Sequence, residues 1–157
     1  MIIDCHILLF AKSVDMARQV AAYQKKMIAG LTITTLPAFS HLNRVEQVKK
    51  QKMALEKFLS AQKKLQNIAL VALDQCGKKL TSIEFAHRLA IWQQQYQKIY
   101  FIIGGANGFD KTFLKQCHQV ISFGNMTFPH QFMPLLLAEQ IFRADSILRG
   151  TPYHQSH

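Results

Sequence analysis

Two uninterrupted apolar runs, Ile68–Leu73 and Ile99–Ile103, constrain this chain more than any other feature. Neither alternates with polar residues, and each ends at residues that break a strand: Asp74 with Gly77 close behind, and Gly104-Gly105. Short runs of this kind read as strands covered on both faces, the situation of a parallel sheet flanked by helices. Both are far shorter than the roughly 18 apolar residues that a bilayer needs.

The stretches around them fit that reading. Met1–Phe10 is apolar and β-branched enough for a first strand. Ser13 is placed to cap a helix with Asp15 in its first turn and Lys25-Lys26 near its end, and Gly30 is expected to stop it. Leu31–Leu36 alternates Thr with Leu or Ile and closes at Pro37, a second strand. Arg44–Leu65 carries apolar residues at mostly helical spacing. Asp74–Lys79 reads as a turn. Thr81-Ser82-Ile83-Glu84 has the form of a capping box and opens a helix to about Gln94. Asp110 can cap a short helix reaching Cys117, and Gln119–Phe123 is a fifth strand. After irregular chain over 124–130, Gln131–Leu148 is the last helix, with Pro134 tolerable only in its first turn. Strands alternate with helices throughout, so the expected class is α/β with a mostly parallel sheet flanked by helices. The length of 157 residues suits one domain.

Charge narrows the partners. Lys and Arg number 19 against 9 Asp and Glu, a net charge of +10. A small domain this basic usually meets a polyanion. The excess gathers over 44–66, where Arg44, Lys49, Lys50, Lys52, Lys57, Lys63 and Lys64 face only Glu46 and Glu56. The bland alternative is a solvated helix face. Cys5, Cys76 and Cys117 are odd in number and far apart, which supports neither a disulfide framework nor a metal site and suits reduced thiols. No basic leader precedes Met1-Ile2-Ile3-Asp4, so no signal peptide is expected.

Ligands of open α/β sheets bind beyond the carboxyl ends of strands. Three such ends stand out: Leu73-Asp74, Gly104-Gly105 and Phe123-Gly124-Asn125. Gly104-Gly105-Ala106-Asn107-Gly108 is neither a G-x-G-x-x-G fingerprint nor a lysine-bearing phosphate loop, which disfavours a nicotinamide dehydrogenase and a P-loop enzyme. In the last quarter, Met126-Thr127-Phe128-Pro129-His130 precedes a helix on which Glu139 and Arg143 share a face, and Pro152-Tyr153-His154 follows.

These segments together, Phe101-Ile102-Ile103-Gly104-Gly105-x-x-Gly108, Met126 to Gln131, Ala138-Glu139-Gln140-Ile141-Phe142-Arg143-Ala144 and Pro152-Tyr153-His154, resemble the RlmH family of SPOUT-class methyltransferases. The match in order and spacing covers about Ile68–His154, with looser agreement before it. The resemblance implies a fold whose C-terminal chain, about 101–148, threads a trefoil knot and leaves a tail at 149–157. It implies S-adenosylmethionine as cofactor, held by Leu73, Gly105 and the segment Gly124, Asn125, Met126, Thr127, Phe128 and Pro129. Leu73 and Phe128 are expected to be apolar walls, and Gly105 is expected to leave room for the ligand. The implied reaction is methylation of N3 of a pseudouridine in 23S ribosomal RNA, within assembled ribosomes, by a cytoplasmic homodimer that uses no metal and no membrane.

Losing the N3 proton needs a base or a cation that stabilises the imide anion. Arg143 is the candidate for the second role, His130, His154 and Glu139 for proton handling, and Tyr153 for stacking on or hydrogen-bonding the base. Leu135, Leu136, Ile141, Phe142, Ile147 and Leu148 can serve knot core or dimer interface. Two departures stand against the family pattern: Pro134 where relatives commonly carry Arg, and Asn107 where they commonly carry an acidic residue. The alternatives are a different SPOUT RNA methyltransferase, a non-catalytic ribosome-binding relative, or a nucleotide-binding metabolic protein.

Overall fold

The computed structural model describes residues 4–27, 30–62 and 67–155. Its strands are β1 (Asp4–Phe10), β2 (Leu31–Leu36), β3 (Ile68–Lys79), β4 (Lys98–Ile103) and β5 (Gln119–Ser122). They form one sheet in the order β2-β1-β4-β3-β5, every neighbouring pair parallel. The helices are α1 (Ala17–Lys26), α2 (Arg44–Ala61), α3 (Ser82–Gln95), α4 (Lys111–Gln116) and α5 (Met133–Arg149), with a 3₁₀ turn at His130–Phe132 before α5.

Alternation along the strands divides the core into two layers, because successive side chains point to opposite faces. Cys5, Ile7 and Leu9 of β1 join Val71, Phe101 and Ile103 under α1, α3 and α5, where Leu137, Ala138, Ile141 and Ala144 of α5 seal the layer. Leu8 and Phe10 join Tyr100 and Ile102 on the other face, covered by Leu55 of α2 and Phe113 of α4. The expected runs at 68–73 and 99–103 are thus buried on both sides.

Most caps follow the expected chemistry. Thr81 and Glu84 form the reciprocal capping box of α3, with Thr81 N–H donating to Glu84 at 2.7 Å and Glu84 N–H to Thr81 at 3.2 Å. Asp110 caps α4 by accepting from the N–H groups of Thr112 and Phe113. Pro134 falls in the first turn of α5, where no intrahelical N–H is required of it.

Three local expectations are corrected. Ser13 does not cap α1, and Asp15 lies outside its first turn. The helix begins later, at a left-handed Met16 with no side-chain cap. Gly30 does not end α1, whose C-cap is the extended Met27. Gly30 instead passes close to β1, its carbonyl accepting from Cys5 N–H at 3.0 Å, and a Cβ there would sit 2.7 Å from Asp4 Oδ1. Asp74–Lys79 is not a terminal turn. β3 bulges and then resumes, so that Leu73 and Lys78 both pair with Ile121 of β5. Met1 to Ile3, and Lys63, Lys64 and Leu65 at the expected end of α2, lie outside the described residues.

One buried polar group makes stability pH-dependent. His6 is 9% exposed, stacks on Tyr100 at 5.0 Å between ring centroids, and bonds Thr34 Oγ1 at 2.7 Å. Burial, helped by Lys98, pushes its pKa from 6.5 down to about 4. Between those values the unfolded chain binds a proton that the native chain refuses. The stabilisation is therefore complete above pH 6.5 and is lost as pH falls towards 4. Urea denaturation at pH 4.5 and pH 7 is expected to show a loss on the order of 2 kcal/mol from this residue. A His6→Phe variant that loses as much as the wild type would show that the histidine is not responsible.

Candidate active site

The bulge in β3 shapes one wall of a cavity of about 350 Å³ at the carboxyl ends of β3, β4 and β5. Ile121 pairs on both sides of the bulge, so Asp74-Gln75-Cys76-Gly77 loop out from the sheet. Gly77 is dictated by this path: a Cβ there would lie 2.5 Å from the carbonyl carbon of Ile121. Gln75 Nε2 reaches Thr127 Oγ1 at 3.3 Å and ties the bulge to the segment after β5. That segment turns at Gly124, whose φ of +112° is a conformation that L side chains rarely adopt.

Six of the eight residues expected to hold a cofactor line this cavity: Leu73, Gly105, Gly124, Met126, Thr127 and Phe128. Asn125 and Pro129 belong to the same segment but are not among the lining residues. Ile103, Phe109, Ile121 and Phe123 add apolar wall, and Gly104, Gly108 and Met133 complete the rim. A smaller cavity of about 260 Å³, between the start of α3 and Leu136 and Gln140 of α5, shares Ile121, Ser122, Phe123 and Phe128 with it. The larger one lies where the β3 bulge and the ends of β4 and β5 converge, the place where ligands of open α/β sheets bind.

The reason for Gly105 differs from the expectation. A Cβ on it would meet not open cavity but the side-chain amide of Gln51, 2.7 Å away. Gln51 and Gln47 of α2 are both buried, and both donate to the carbonyl of Ala38, at 2.8 and 3.0 Å. With its amide nitrogen so engaged, Gln47 presents Oε1 to the glycine loop, where Asn107 Nδ2 donates to it. An acidic residue at 107 would set acceptor against acceptor, so Asn107 and Gln47 are a matched pair. Asn107→Asp is expected to lower stability by about 1–2 kcal/mol, measured by chemical denaturation. An unchanged midpoint would show that the pair contributes nothing. Neither glutamine was legible from sequence, because a polar residue on a helix reads by default as surface.

Of the five residues expected to act in chemistry, the structure gathers four. Glu139 Oε1 accepts from Arg143 Nε at 2.9 Å, from Arg143 Nη2 at 2.5 Å and from Tyr153 Oη at 3.1 Å. Gln140 Nε2 donates to its other oxygen at 2.8 Å. Arg143 Nη1 lies 3.2 Å from His154 Nδ1. A guanidinium can only donate, so Nδ1 accepts and the ring proton of a neutral His154 sits on Nε2. Tyr153 stacks beneath the guanidinium at 4.9 Å and packs edge-on to Phe142 at 4.6 Å. Hydrogen bonding to Glu139 raises the Arg143 pKa further. Burial, then hydrogen bonding with Tyr23, holds the Tyr153 phenol well above its usual range. Tyr153 is therefore a donor here, and Arg143 a fixed cation.

Glu139 is spent as an anchor. Arg143, by contrast, uses three of a guanidinium's five N–H groups, and among the described residues the other two have no hydrogen-bond partner. His130, the fifth residue, stands apart: it lines the cavity, with Nε2 3.4 Å from the Phe10 carbonyl. Arg143 lies ten positions along α5 from Met133, which lines the cavity, about 15 Å of helix.

The family model described as "Predicted SPOUT methyltransferase" matches residues 3–154. The chain belongs to the SPOUT methyltransferase family. Ribosomal RNA large subunit methyltransferase H of Paracoccus denitrificans is 44% identical over 114 residues, covering 73% of this chain and 74% of that protein. The enzyme of the same name from Janthinobacterium sp. (strain Marseille) is 36% identical over 140 residues, 85% of each. A probable methylase family protein from Haemophilus influenzae Rd KW20 superposes with a TM-score of 0.55 over 98% of this chain and 71% of its own, at 13% identity, a likeness of fold.

Proposed function

We propose that this chain methylates N3 of a pseudouridine in 23S ribosomal RNA, using S-adenosylmethionine and acting as a cytoplasmic homodimer on assembled ribosomes. The reading takes residues 1–157 as one methyltransferase domain, with the trefoil knot over about 101–148. The observation that carries it is the division of the site: one chain holds a glycine-edged cavity, and about 15 Å along α5 an anchored arginine with unused N–H groups.

The cavity suits the cofactor. Its walls are apolar at Leu73, Ile103, Ile121 and Phe128; Gly105, Gly124, Met126 and Thr127 line it as well, and it contains a carboxylate, Asp74. These groups match an adenosine and a positively charged sulfonium. When bound, S-adenosylmethionine supplies an electrophilic methyl carbon and keeps the electron pair of the broken carbon–sulfur bond. The protein's own work lies on the acceptor. Arg143, held by Glu139, His154 and Tyr153, offers its two remaining N–H groups to the imide oxygens and stabilises the anion left when N3 loses its proton. His130, on the cavity wall, is the candidate to take that proton. Because the Arg143 cluster does not line its own chain's cavity, the reading pairs the cluster of one subunit with the cavity of the other. Exposed Met126, Phe128, Phe132, Leu148 and Tyr153 provide apolar surface for that contact. Arg44, Lys49, Lys50 and Lys57 are exposed along α2, whose inner face holds the glycine loop, and they supply a cationic approach for RNA beside the cavity.

The test is methyl transfer from labelled S-adenosylmethionine to ribosomes lacking the modification, with the product mapped by nucleoside mass spectrometry. Label on N3 of a pseudouridine in the large-subunit RNA is the expected result. Label on another base would assign a different RNA methyltransferase activity, and ribosome binding without any transfer would mark a non-catalytic relative.

A further inference from the structure

We infer that Asp74 is a specificity-determining residue that favours the positively charged methyl donor over its neutral product, S-adenosylhomocysteine. This rests on the cavity being the S-adenosylmethionine site. The starting observation is a local inversion of charge. Lys and Arg outnumber Asp and Glu by 19 to 9 in the chain, yet among the described residues the cavity wall contains no Lys or Arg and one carboxylate, that of Asp74. A protein of net charge +10 repels a cation at long range, and a carboxylate at the binding point offsets that repulsion.

The position of Asp74 suits it to this role. It is the first residue of the β3 bulge, where Leu73 and Lys78 share Ile121 as partner. Its Oδ1 accepts from Cys76 N–H at 2.9 Å, which orients the carboxylate. Its Oδ2 points across towards the glycine loop, 3.9 Å from where a Cβ of Gly108 would stand. Among the described residues no Lys, Arg or His forms an ion pair with it. The bulge thus delivers an oriented carboxylate, without an ion-pair partner among the described residues, to a cavity whose other polar side chains are Gln75, Cys76, Ser122, Thr127 and His130.

The donor and the product share adenosine, ammonium and carboxylate, and differ in the methyl group and the positive charge on sulfur. A carboxylate that attracts this charge holds the donor and loses its grip once the methyl has moved, which helps product leave. Asp74→Asn isolates the effect, because an amide keeps an oxygen for Cys76 N–H and removes only charge.

The experiment is calorimetric titration of the full-length, cofactor-free protein with S-adenosylmethionine and with S-adenosylhomocysteine. For Asp74→Asn, affinity for the methyl donor is expected to fall about fivefold, as for a partly exposed ion pair, with affinity for the product within about twofold. Asp74→Glu is expected to restore most of the difference. Equal weakening of both ligands would overturn the inference and place Asp74 on the part they share, or in the bulge itself. No change in either would overturn it as well. Failure of the wild-type protein to bind either compound is a separate outcome, and it would sink the cofactor reading from which the inference starts.

Discussion

Arg143→Ala is expected to lower kcat by about 10²–10³-fold while leaving S-adenosylmethionine affinity within about threefold, if the arginine stabilises charge that appears only in the transition state. The geometry supports this split. Arg143 is not part of the cavity wall, so its loss does not touch the cofactor's contacts. It is held by two bonds to Glu139, one approach to His154 and the face of Tyr153, an arrangement that fixes where its remaining N–H groups point. Removing it also leaves Glu139, among the described residues, with Tyr153 and Gln140 as its donors, so some loss of stability accompanies the variant. Arg143→Lys separates the two effects. It keeps a charge near Glu139 but not the planar fork, and it is expected to fold as the wild type does yet recover little turnover. Single-turnover kinetics with saturating cofactor would check both. If the two variants lose turnover and cofactor affinity in equal proportion, Arg143 is a structural residue and the catalytic assignment is wrong.

The largest effect on stability is expected at Gly77. An alanine there brings Cβ to 2.5 Å from the carbonyl carbon of Ile121 and 2.7 Å from its nitrogen. These atoms are backbone of a strand paired on both sides of the bulge, so they have no rotamer to escape into. Either the Lys78–Ile121 and Lys79–Ser122 pairing opens or β5 moves as a unit. Both are comparable to severe overpacking, about 3 kcal/mol or more, which lowers Tm by about 10 °C in a domain of this size. The damage should also reach the cavity, because the same bulge places Asp74 and carries Gln75 to Thr127. Differential scanning calorimetry with and without cofactor measures both effects. A Gly77→Ala protein with wild-type Tm would mean that the close approach of β3 and β5 is not maintained in solution.

These two sites also show where reading the chain succeeds and where it stops. Glu139 and Arg143 were legible as neighbours because four positions on a helix bring one side chain over another, whereas Tyr153 and His154 were candidates only through the resemblance of Pro152-Tyr153-His154 to the RlmH family. The strand exits at Gly105 and Gly124 were legible because an apolar run ending at a breaker marks the end of a buried strand, whereas after Leu73 β3 bulges and continues. Gly77 was visible only as a turn residue. Its actual constraint is contact with Ile121, 44 positions later in the sequence. Gln47 and Gln51 were missed for the same reason, since their partners at Ala38 and Asn107 are brought to them by the sheet. Ser13 and Gly30 were misjudged because good capping residues are only local preferences. The path of the chain between β1 and β2 decided where α1 begins and ends.

By itself, the sequence determined the alternation of strands and helices, the two-sided burial of β3 and β4, the caps of α3 and α4, and the pairing of Glu139 with Arg143. All of these depend on spacing within a few residues or on the hydrophobicity of a continuous run. The tertiary structure alone decided that β3 bulges rather than ends, that Gly105 makes room for Gln51, and that His130 and Arg143 stand at different places on the molecule. Each of those is a contact between segments far apart in the chain, and local preference carries no information about which distant backbone will lie within a few ångströms.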